Sequence, residues 1–345
     1  MITHPTPLRR HGLLVFAALG AALFVCHTTT ADEASRVTFL WVDTPGKYVE
    51  LRHGPRPVLR YVYRALDESS PQARYETNKV FHHLYDPSGK VLMTNGPTGD
   101  EPYSKDVLYP HHRGLFYGFN RVTYGEGKQA NLWGCAQGES QRHAKLLASG
   151  EDHDHGWHRL AIAWYGRDGE VFAREVRELT AYAAERGTLV EFASTLTTAT
   201  GEVVHLDGDP QHAGFQFRGS DEIDKKTKAQ TYYLRTDGKG KPGETRNWIP
   251  KEGSSPTNQE CTNRPWNAMS FVVGGRRYTV VYLDHPDNPK PARYSERDYG
   301  RFGSYFAYDL LPDRPLRVRY RIWLQEGDMT VPECERMSTE FIAGQ

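Results

Sequence analysis

Two histidines and an arginine stand directly before an apolar, aromatic stretch of this sequence. His111, His112 and Arg113 are followed at 114–120 by Gly-Leu-Phe-Tyr-Gly-Phe-Asn. Aromatic residues suit a pleated, half-buried strand, and a strand holds the groups at its end in fixed geometry. Since imidazole transfers protons near neutral pH, this stretch is a candidate catalytic site. The alternative is that the three side chains only tie neighbouring loops together by hydrogen bonds.

A second histidine pair, His82 and His83, lies in another strand-like run at 80–85. Side chains alternate along a strand, so we expect one histidine of each pair to line a shared cleft and the other to pack. We predict that His82 or His112 is the general acid or base. Arg113 is predicted to neutralise a carboxylate or a developing oxyanion.

A proline-rich loop at 284–301 follows a strand predicted at 279–283, and functional residues are common in loops at strand ends. Glu296 in this loop is the candidate partner acid. The alternative is a proline-rigidified corner that packs on the sheet. Across these clusters, the residues predicted to bind substrate are Tyr85, His111, Trp133, His212, His285, Arg297 and Tyr299.

A third arrangement, His205, Asp207 and His212, is a candidate metal site. If the runs at 202–206 and 213–218 form a hairpin, all three residues lie near its turn. Imidazole and carboxylate together bind zinc or a similar ion. The alternative is a polar turn in which Asp207 caps backbone amides. A run of alternating Asp and His at 152–155 is expected to be a solvated surface loop that binds metal weakly at most.

The elements that must position these residues are mostly strands. The clearest is at 316–324, where Leu, Val, Tyr and Ile alternate with Arg and Trp in the pattern of a strand with one buried face. About fifteen such runs and few helices predict an all-β fold, a large antiparallel β-sandwich. We expect one domain at 36–330, with a polar excursion at 219–262, and a short helix or tail at 331–345.

Charge and hydropathy narrow the function. Lys and Arg total 43, and Asp and Glu total 43, so the formal charge of 43 − 43 = 0 argues against a nucleic-acid partner. Residues 1–31 contain two arginines, then a short apolar run, then small residues, which is the pattern of a secretory signal peptide. No later run is apolar enough to span a membrane. We therefore expect a soluble protein exported to the periplasm or beyond. Cys135, Cys261 and Cys334 would remain after cleavage, and their pairing stays open.

Two segments, 81–91 and 110–116, resemble the bacterial family labelled "methane oxygenase PmoA", a domain of unknown function of the DUF6807 type. The loop at 284–289, Tyr299-Gly300 and the strand at 316–324 resemble it too, so that the likeness covers roughly 57–328. The resemblance implies a β-sandwich like that of galactose mutarotases and related carbohydrate-active enzymes. The family label implies a metal-dependent oxygenase.

The leading hypothesis is an exported carbohydrate-active enzyme that binds a saccharide, or another small molecule, in a cleft at the strand ends. A mutarotase, lyase or glycoside-cleaving reaction would each be compatible. The hypothesis requires no cofactor and allows a divalent metal. One alternative is a non-catalytic glycan-binding protein, and another is the metal-dependent oxygenase. The sequence leaves the substrate and the oligomeric state open.

Overall fold

The computed structural model describes residues 37–104, 106–184, 186–208, 212–249 and 258–344. The predicted signal peptide at 1–31 lies outside these residues. Within them, no helix combines the length and the apolar character needed to cross a membrane.

The described residues form two α-helices, three short helical turns and a long series of strands. The α-helices are α1 (Pro71–Thr77) and α2 (Val331–Ala343). The π-helical turn covers Ile223–Thr227, and the 3₁₀ turns cover Lys228–Gln230 and Gln259–Cys261. The strands are β1 (Phe39–Thr44), β2 (Tyr48–His53), β3 (Arg56–Val62), β4 (Phe81–Leu84), β5 (Leu115–Phe119), β6 (Arg121–Tyr124), β7 (Lys128–Ala130), β8 (Ser140–Glu151), β9 (His155–Tyr165), β10 (Val171–Ala184), β11 (Gly187–Thr198), β12 (Val204–Asp207), β13 (Ala213–Arg218), β14 (Tyr232–Arg235), β15 (Gly238–Lys239), β16 (Trp266–Val273), β17 (Arg276–Asp284), β18 (Arg293–Arg297), β19 (Arg301–Tyr305), β20 (Tyr308–Leu310) and β21 (Leu316–Glu326).

The strands form two large sheets and one small sheet. The first sheet has the order β1-β2-β3-β4-β5-β13-β19-β18. The second has the order β15-β14-β16-β17-β21-β11-β10-β9-β8, and the small sheet has the order β20-β12-β6-β7. Neighbouring strands in the described sheets pair antiparallel, which confirms the predicted all-β antiparallel sandwich.

Aromatic side chains fill the space between the two large sheets. Phe215 of β13 stacks on Phe192 of β11 with ring centroids 4.1 Å apart, and Phe302 of β19 meets Tyr282 of β17 at 6.0 Å. The alternation in β21 places Val318, Tyr320 and other apolar residues in this core. Burying large aromatic surfaces is a main source of stability in such a core.

The chain ends in α2, which packs on the far face of the second sheet against β16 and β17. Thr330 starts this helix with a capping box, since its side chain accepts from the Glu333 amide and the Glu333 carboxylate accepts from the Thr330 amide. Cys135, Cys261 and Cys334 are buried and free.

Two details of the predicted fold are wrong. The sequence at 125–156 has no strand pattern and predicts an irregular segment, but it contains β7 and β8, and β8 lies at the edge of the second sheet. Two register shifts interrupt its pairing with β9, and much of the strand is exposed, so the sequence does not alternate. The second detail concerns β12 and β13. They do not form a hairpin, because β12 pairs in the small sheet and β13 in the first sheet.

Candidate functional site

The candidate site lies on the outer face of the first sheet, the face turned away from the second sheet. Phe215 and Phe217 of β13 point into the core, so the alternating residues Gln216 and Arg218 point outward. Arg218 stands opposite Arg301 of the neighbouring β19. The central strands therefore place two guanidinium groups side by side on this face.

His111 and His112 reach this face from a tight turn before β5. The His112 amide donates to the Tyr109 carbonyl over 2.9 Å, and Pro110 in the turn has the backbone angle that such a turn requires. Gly114 then has φ of +53°, and a Cβ there would lie 2.1 Å from the His82 carbonyl oxygen. Only glycine allows the chain to pass so closely from the turn into the strand.

A loop that crosses β5 places Trp133 beside His112. Gly118 permits the crossing, because a Cβ at this position would lie 2.7 Å from the Leu132 carbonyl oxygen. The Asn131 carboxamide oxygen accepts from the amides of Trp133 and Gly134 over 3.1 and 2.7 Å, which closes an Asx turn. The Trp133 ring then packs against Phe116 with centroids 4.6 Å apart.

We call the resulting group the His112 cluster. Its members are His111, His112, Trp133, His212, Tyr299 and Arg301. Measured from the centroid of the His112 ring, the rings of His111, Trp133, His212 and Tyr299 lie at 4.2, 5.4, 6.2 and 6.3 Å. The Arg301 guanidinium carbon lies 5.7 Å from the centre of the Trp133 ring. Tyr109, 45% exposed, stands at the solvent side of the cluster against Tyr299.

His112 is only 1% exposed, and both of its ring nitrogens are buried without a hydrogen-bond partner among the described residues. Burial lowers the pKa of His112 well below its ordinary value, and the charges of Arg301 and Arg218 add to the effect. Burial also lowers the pKa of His111 to about 3. Both imidazoles are therefore neutral at pH 7, and His112 has a free nitrogen lone pair and a free N–H to offer a ligand.

The arginines of this face are held firmly by oxygen atoms. Arg301 donates to the hydroxyls of Tyr299 and Ser295 over 3.3 and 3.2 Å and to the Gln216 side-chain oxygen over 3.1 Å. Arg218 donates to the Tyr299 carbonyl over 2.6 Å. Such contacts fix guanidinium groups before any ligand arrives, which is what electrostatic stabilisation of a developing charge requires.

A family model matches residues 48–339 of the chain. The chain belongs to the family of unknown function DUF6807. No curated protein matches its sequence.

Several solved structures are similar to this DUF6807 chain. A galactose mutarotase-like protein from Clostridium acetobutylicum is 10% identical, covers 85% of this chain and 99% of its own, and has a TM-score of 0.42. A galactose mutarotase-like protein from Lactobacillus casei is 7% identical over 83% of this chain and 100% of its own, with a TM-score of 0.38. The GH36 α-galactosidase AgaB from Geobacillus stearothermophilus is 12% identical over 84% of this chain, with a TM-score of 0.41, and the match spans only 41% of the α-galactosidase. Because these TM-scores are below 0.5, the similarities are no basis for assigning an activity.

Of the predicted acid–base residues, the structure places only His112 in the cluster. His82 faces the core, where its Nε2 lies 3.0 Å from Nε2 of His158. Its neighbour His83 points outward but is buried against Thr94 and Pro97, so neither histidine of that pair lines the cleft. The expectation that one of them would do so is wrong, because loops cover the outer face of β4 and the second sheet covers its inner face.

Arg113 and Glu296 also lie apart from the cluster. Arg113 donates to the carbonyls of Tyr75 and Glu76 at the C-terminal end of α1, so it caps that helix. Glu296 points toward the second sheet and accepts from both nitrogens of a bidentate Arg235 contact, over 2.9 and 2.6 Å, and from Asn267 over 2.8 Å. Both residues are fully buried and their polar atoms are engaged in structural contacts.

The predicted substrate-binding residues lie in three places. His111, Trp133, His212 and Tyr299 are members of the cluster. Arg297 lies next to it on the outer face of β18 and donates to Asn247 over 2.7 Å. Two others are remote. Tyr85 donates to Glu50 over 3.4 Å, and His285 packs edge-on against Phe341 of α2.

The predicted metal ligands do not converge. His205 pairs with Asp309 over 2.6 Å in the small sheet, and Asp207 lies 3.8 Å from Arg293. Within the described ranges, the one group of three such residues with ligand atoms within 4.8 Å of one another is Asp152, His153 and Asp154, all exposed. Although Gly208, which follows Asp207, passes close to His212, the ligand atoms of the three residues do not form such a group.

Sequence reasoning missed Gln216, Arg218 and the placement of Arg301. A signal was present, since Gln216 and Arg218 alternate with phenylalanines in β13, and Arg301 precedes Phe302 in the same way. A polar residue between buried aromatics marks the opposite face of a strand.

Proposed function

We propose that this chain is an exported saccharide-acting enzyme whose proton-transfer chemistry takes place at the His112 cluster. The observation that carries the proposal is the buried His112 imidazole with two unpartnered ring nitrogens. Leaving a buried polar group unsatisfied costs about 1–3 kcal/mol, and a ligand hydroxyl bound there would remove that cost.

The surroundings of His112 suit a sugar. The ring of Tyr109, 45% exposed and packed against Tyr299, would offer a flat apolar surface for the C–H face of a pyranose, while the nitrogens of His112 and His111 would offer polar atoms for its hydroxyls. Small-molecule sites generally combine such apolar walls with a few fixed polar groups.

In the proposed chemistry, neutral His112 accepts the proton of the anomeric hydroxyl as the bond between the anomeric carbon and the ring oxygen breaks, which gives an open-chain aldehyde and an alkoxide. After the aldehyde rotates, the alkoxide attacks the carbonyl carbon, and His112 returns the proton to the carbonyl oxygen of the other anomer. Arg301, held against Tyr299 and Gln216, would stabilise the negative charge on the substrate oxygen. A mutarotase- or lyase-type reaction is favoured over hydrolysis by two carboxylates, because the predicted partner acid Glu296 is committed to Arg235 and Asn267.

The test is a His112→Asn variant assayed by NMR against a panel of monosaccharides and acidic and neutral oligosaccharides, for both anomer exchange and new products. We expect turnover to fall about 10²–10⁴-fold, as for loss of a general acid or base. His83→Gln is the matched control, since His83 is also buried but lies outside the cluster, and it should keep wild-type turnover. Wild-type turnover by a folded His112→Asn variant would refute the proposal.

Two other outcomes distinguish the alternatives. Saturable saccharide binding that Trp133→Leu abolishes, without any product, would favour a non-catalytic glycan-binding protein. Stoichiometric copper or iron in the purified protein would favour the metal-dependent oxygenase. Export rests on the composition of residues 1–31 and is tested by N-terminal sequencing of the protein recovered from the periplasm and the medium.

A further inference from the structure

A cavity lies on the other face of the first sheet, between β1–β3 and the edge strand β8 with its neighbour β9. The register places Asp43 of β1 beside Val49 of β2, and Val49 beside Tyr61 of β3, so these three side chains form one row facing the second sheet. The cavity above the row has a volume of about 250 Å³. It is separate from the His112 cluster, which lies on the opposite face.

Trp41 and Tyr63 are the half-buried aromatic side chains of the cavity lining, Tyr61 is buried and stacks on His82 at 4.7 Å, and aliphatic residues such as Leu146 fill most of the rest. Tyr61 of β3 and Tyr63, which directly follows β3, have ring centroids 5.8 Å apart. Trp41 is held in place by stacking on His158 at 4.5 Å and by donating its indole N–H to the Trp157 carbonyl over 3.1 Å. The aromatic faces are therefore fixed by the fold.

The charge of the cavity comes from Asp43. The Tyr63 hydroxyl donates to this carboxylate over 2.5 Å. Within the part of the chain that the structure describes, no Lys or Arg forms an ion pair with Asp43. His143 is the other polar group of the lining, and burial lowers its pKa below the ordinary value, so that it is uncharged at neutral pH. An exposed negative charge thus borders a pocket of π surfaces.

We propose that this cavity binds a small quaternary ammonium compound. A cation within about 6 Å of a Trp or Tyr face is attracted by the ring quadrupole, and a permanent alkylammonium ion is the ligand that gains most from an aromatic pocket with one carboxylate. A neutral sugar would find few polar partners here, because aromatic and aliphatic side chains form most of the lining. The inference does not depend on the function proposed for the His112 cluster.

The experiment compares choline with its neutral isostere 3,3-dimethylbutan-1-ol, using isothermal titration calorimetry and ligand-observed NMR on the full chain. The two probes have the same shape and differ in charge. We expect choline to bind at least about fivefold more tightly, which corresponds to one cation–π contact. Equal affinity of the two probes, or no saturable binding of choline, would overturn the proposal.

Variants then locate the site. Asp43→Asn keeps an acceptor for Tyr63 and removes the charge, so it should weaken choline binding about threefold or more and leave binding of the isostere unchanged. Trp41→Leu should weaken choline binding further. Asp313→Asn is the matched control, because Asp313 is exposed in the turn between β20 and β21. Choline affinity that falls equally in Asp43→Asn and Asp313→Asn, or in neither, would contradict the assignment.

Discussion

Acidification from pH 7.5 to pH 5 is expected to destabilise the protein through histidines that must stay neutral in the fold. Burial lowers the pKa of His83 to about 4 and that of His158 to about 3. The contacts of His83 show why: Nε2 donates to the Pro97 carbonyl, and Nδ1 accepts from the Thr94 hydroxyl, each over 3.0 Å. Protonation of Nδ1 would place two N–H groups where one donor and one acceptor are needed.

The magnitude follows from proton linkage. In the unfolded chain these histidines bind protons below their ordinary pKa of 6.5, whereas in the fold they remain neutral down to about 4 and about 3. The unfolded state therefore binds more protons than the folded state in this range. The contribution of these histidines to the free energy of unfolding is complete above pH 6.5 and decreases as the pH falls. At pH 5 each histidine costs about 2 kcal/mol, and the pair costs about 4 kcal/mol.

The assay is urea unfolding of the wild type and His83→Gln at pH 7.5 and pH 5. Glutamine also offers one donor and one acceptor but does not titrate, so the pH-dependent loss should be smaller by about 2 kcal/mol in the variant. The difference between the two proteins cancels the titration of all other groups. His153→Gln, at an exposed histidine, should change the loss by less than about 0.5 kcal/mol. Equal losses in wild type and His83→Gln would refute the reasoning.

Three further substitutions test the roles assigned to particular side chains. Glu296→Ala should lower the free energy of unfolding by about 3–5 kcal/mol in urea denaturation, because the buried Arg235 would keep only the more distant Glu244 carboxylate, 3.6 Å away, as a partner of opposite charge; a loss under about 1 kcal/mol would contradict this. Arg113→Lys should lower it by about 2 kcal/mol, because one ammonium cannot reach both carbonyls at the end of α1; a wild-type urea midpoint would contradict this cap. His112→Phe should leave the free energy of unfolding unchanged or raise it by about 1 kcal/mol, because it removes unsatisfied polar atoms; a clear destabilisation would mean that the imidazole has a structural partner.

The sheet architecture could be predicted from the sequence because several long strands of the second sheet, β9, β10, β11 and β21, alternate between buried and more exposed residues. β21 is buried on one face and exposed on the other, and its residues 316–324 alternate accordingly. β8 could not be predicted in the same way, since a bulged edge strand has little buried surface to impose a pattern. The sequence also did not indicate that β12 pairs in the small sheet. Strands that follow each other in the chain usually lie side by side, but β12 and β13 do not.

The candidate site was predicted in part, and the errors have one physical origin. Alternation shows that Glu296 and Arg297 lie on opposite faces of a strand, but it does not show which face meets the second sheet. In β18 the core face carries Glu296, which contacts Arg235 of the second sheet, and Arg297 faces outward. His111 and His112 escaped this ambiguity because a turn, and not a strand, presents them together.

The contrast between the buried histidines argues for a functional role of His112. His82 and His158 pair their Nε2 atoms, and His83 satisfies both nitrogens with Thr94 and Pro97, so each of these three imidazoles has a polar contact that a structural role would explain. His112 has none among the described residues, although it is surrounded by Trp133 and other rings against which a phenylalanine would pack at no polar cost. The stability of the fold therefore does not account for an imidazole at this position. Binding of a ligand to the two ring nitrogens would account for it, and the neighbouring guanidinium groups indicate where negative charge on that ligand would be stabilised.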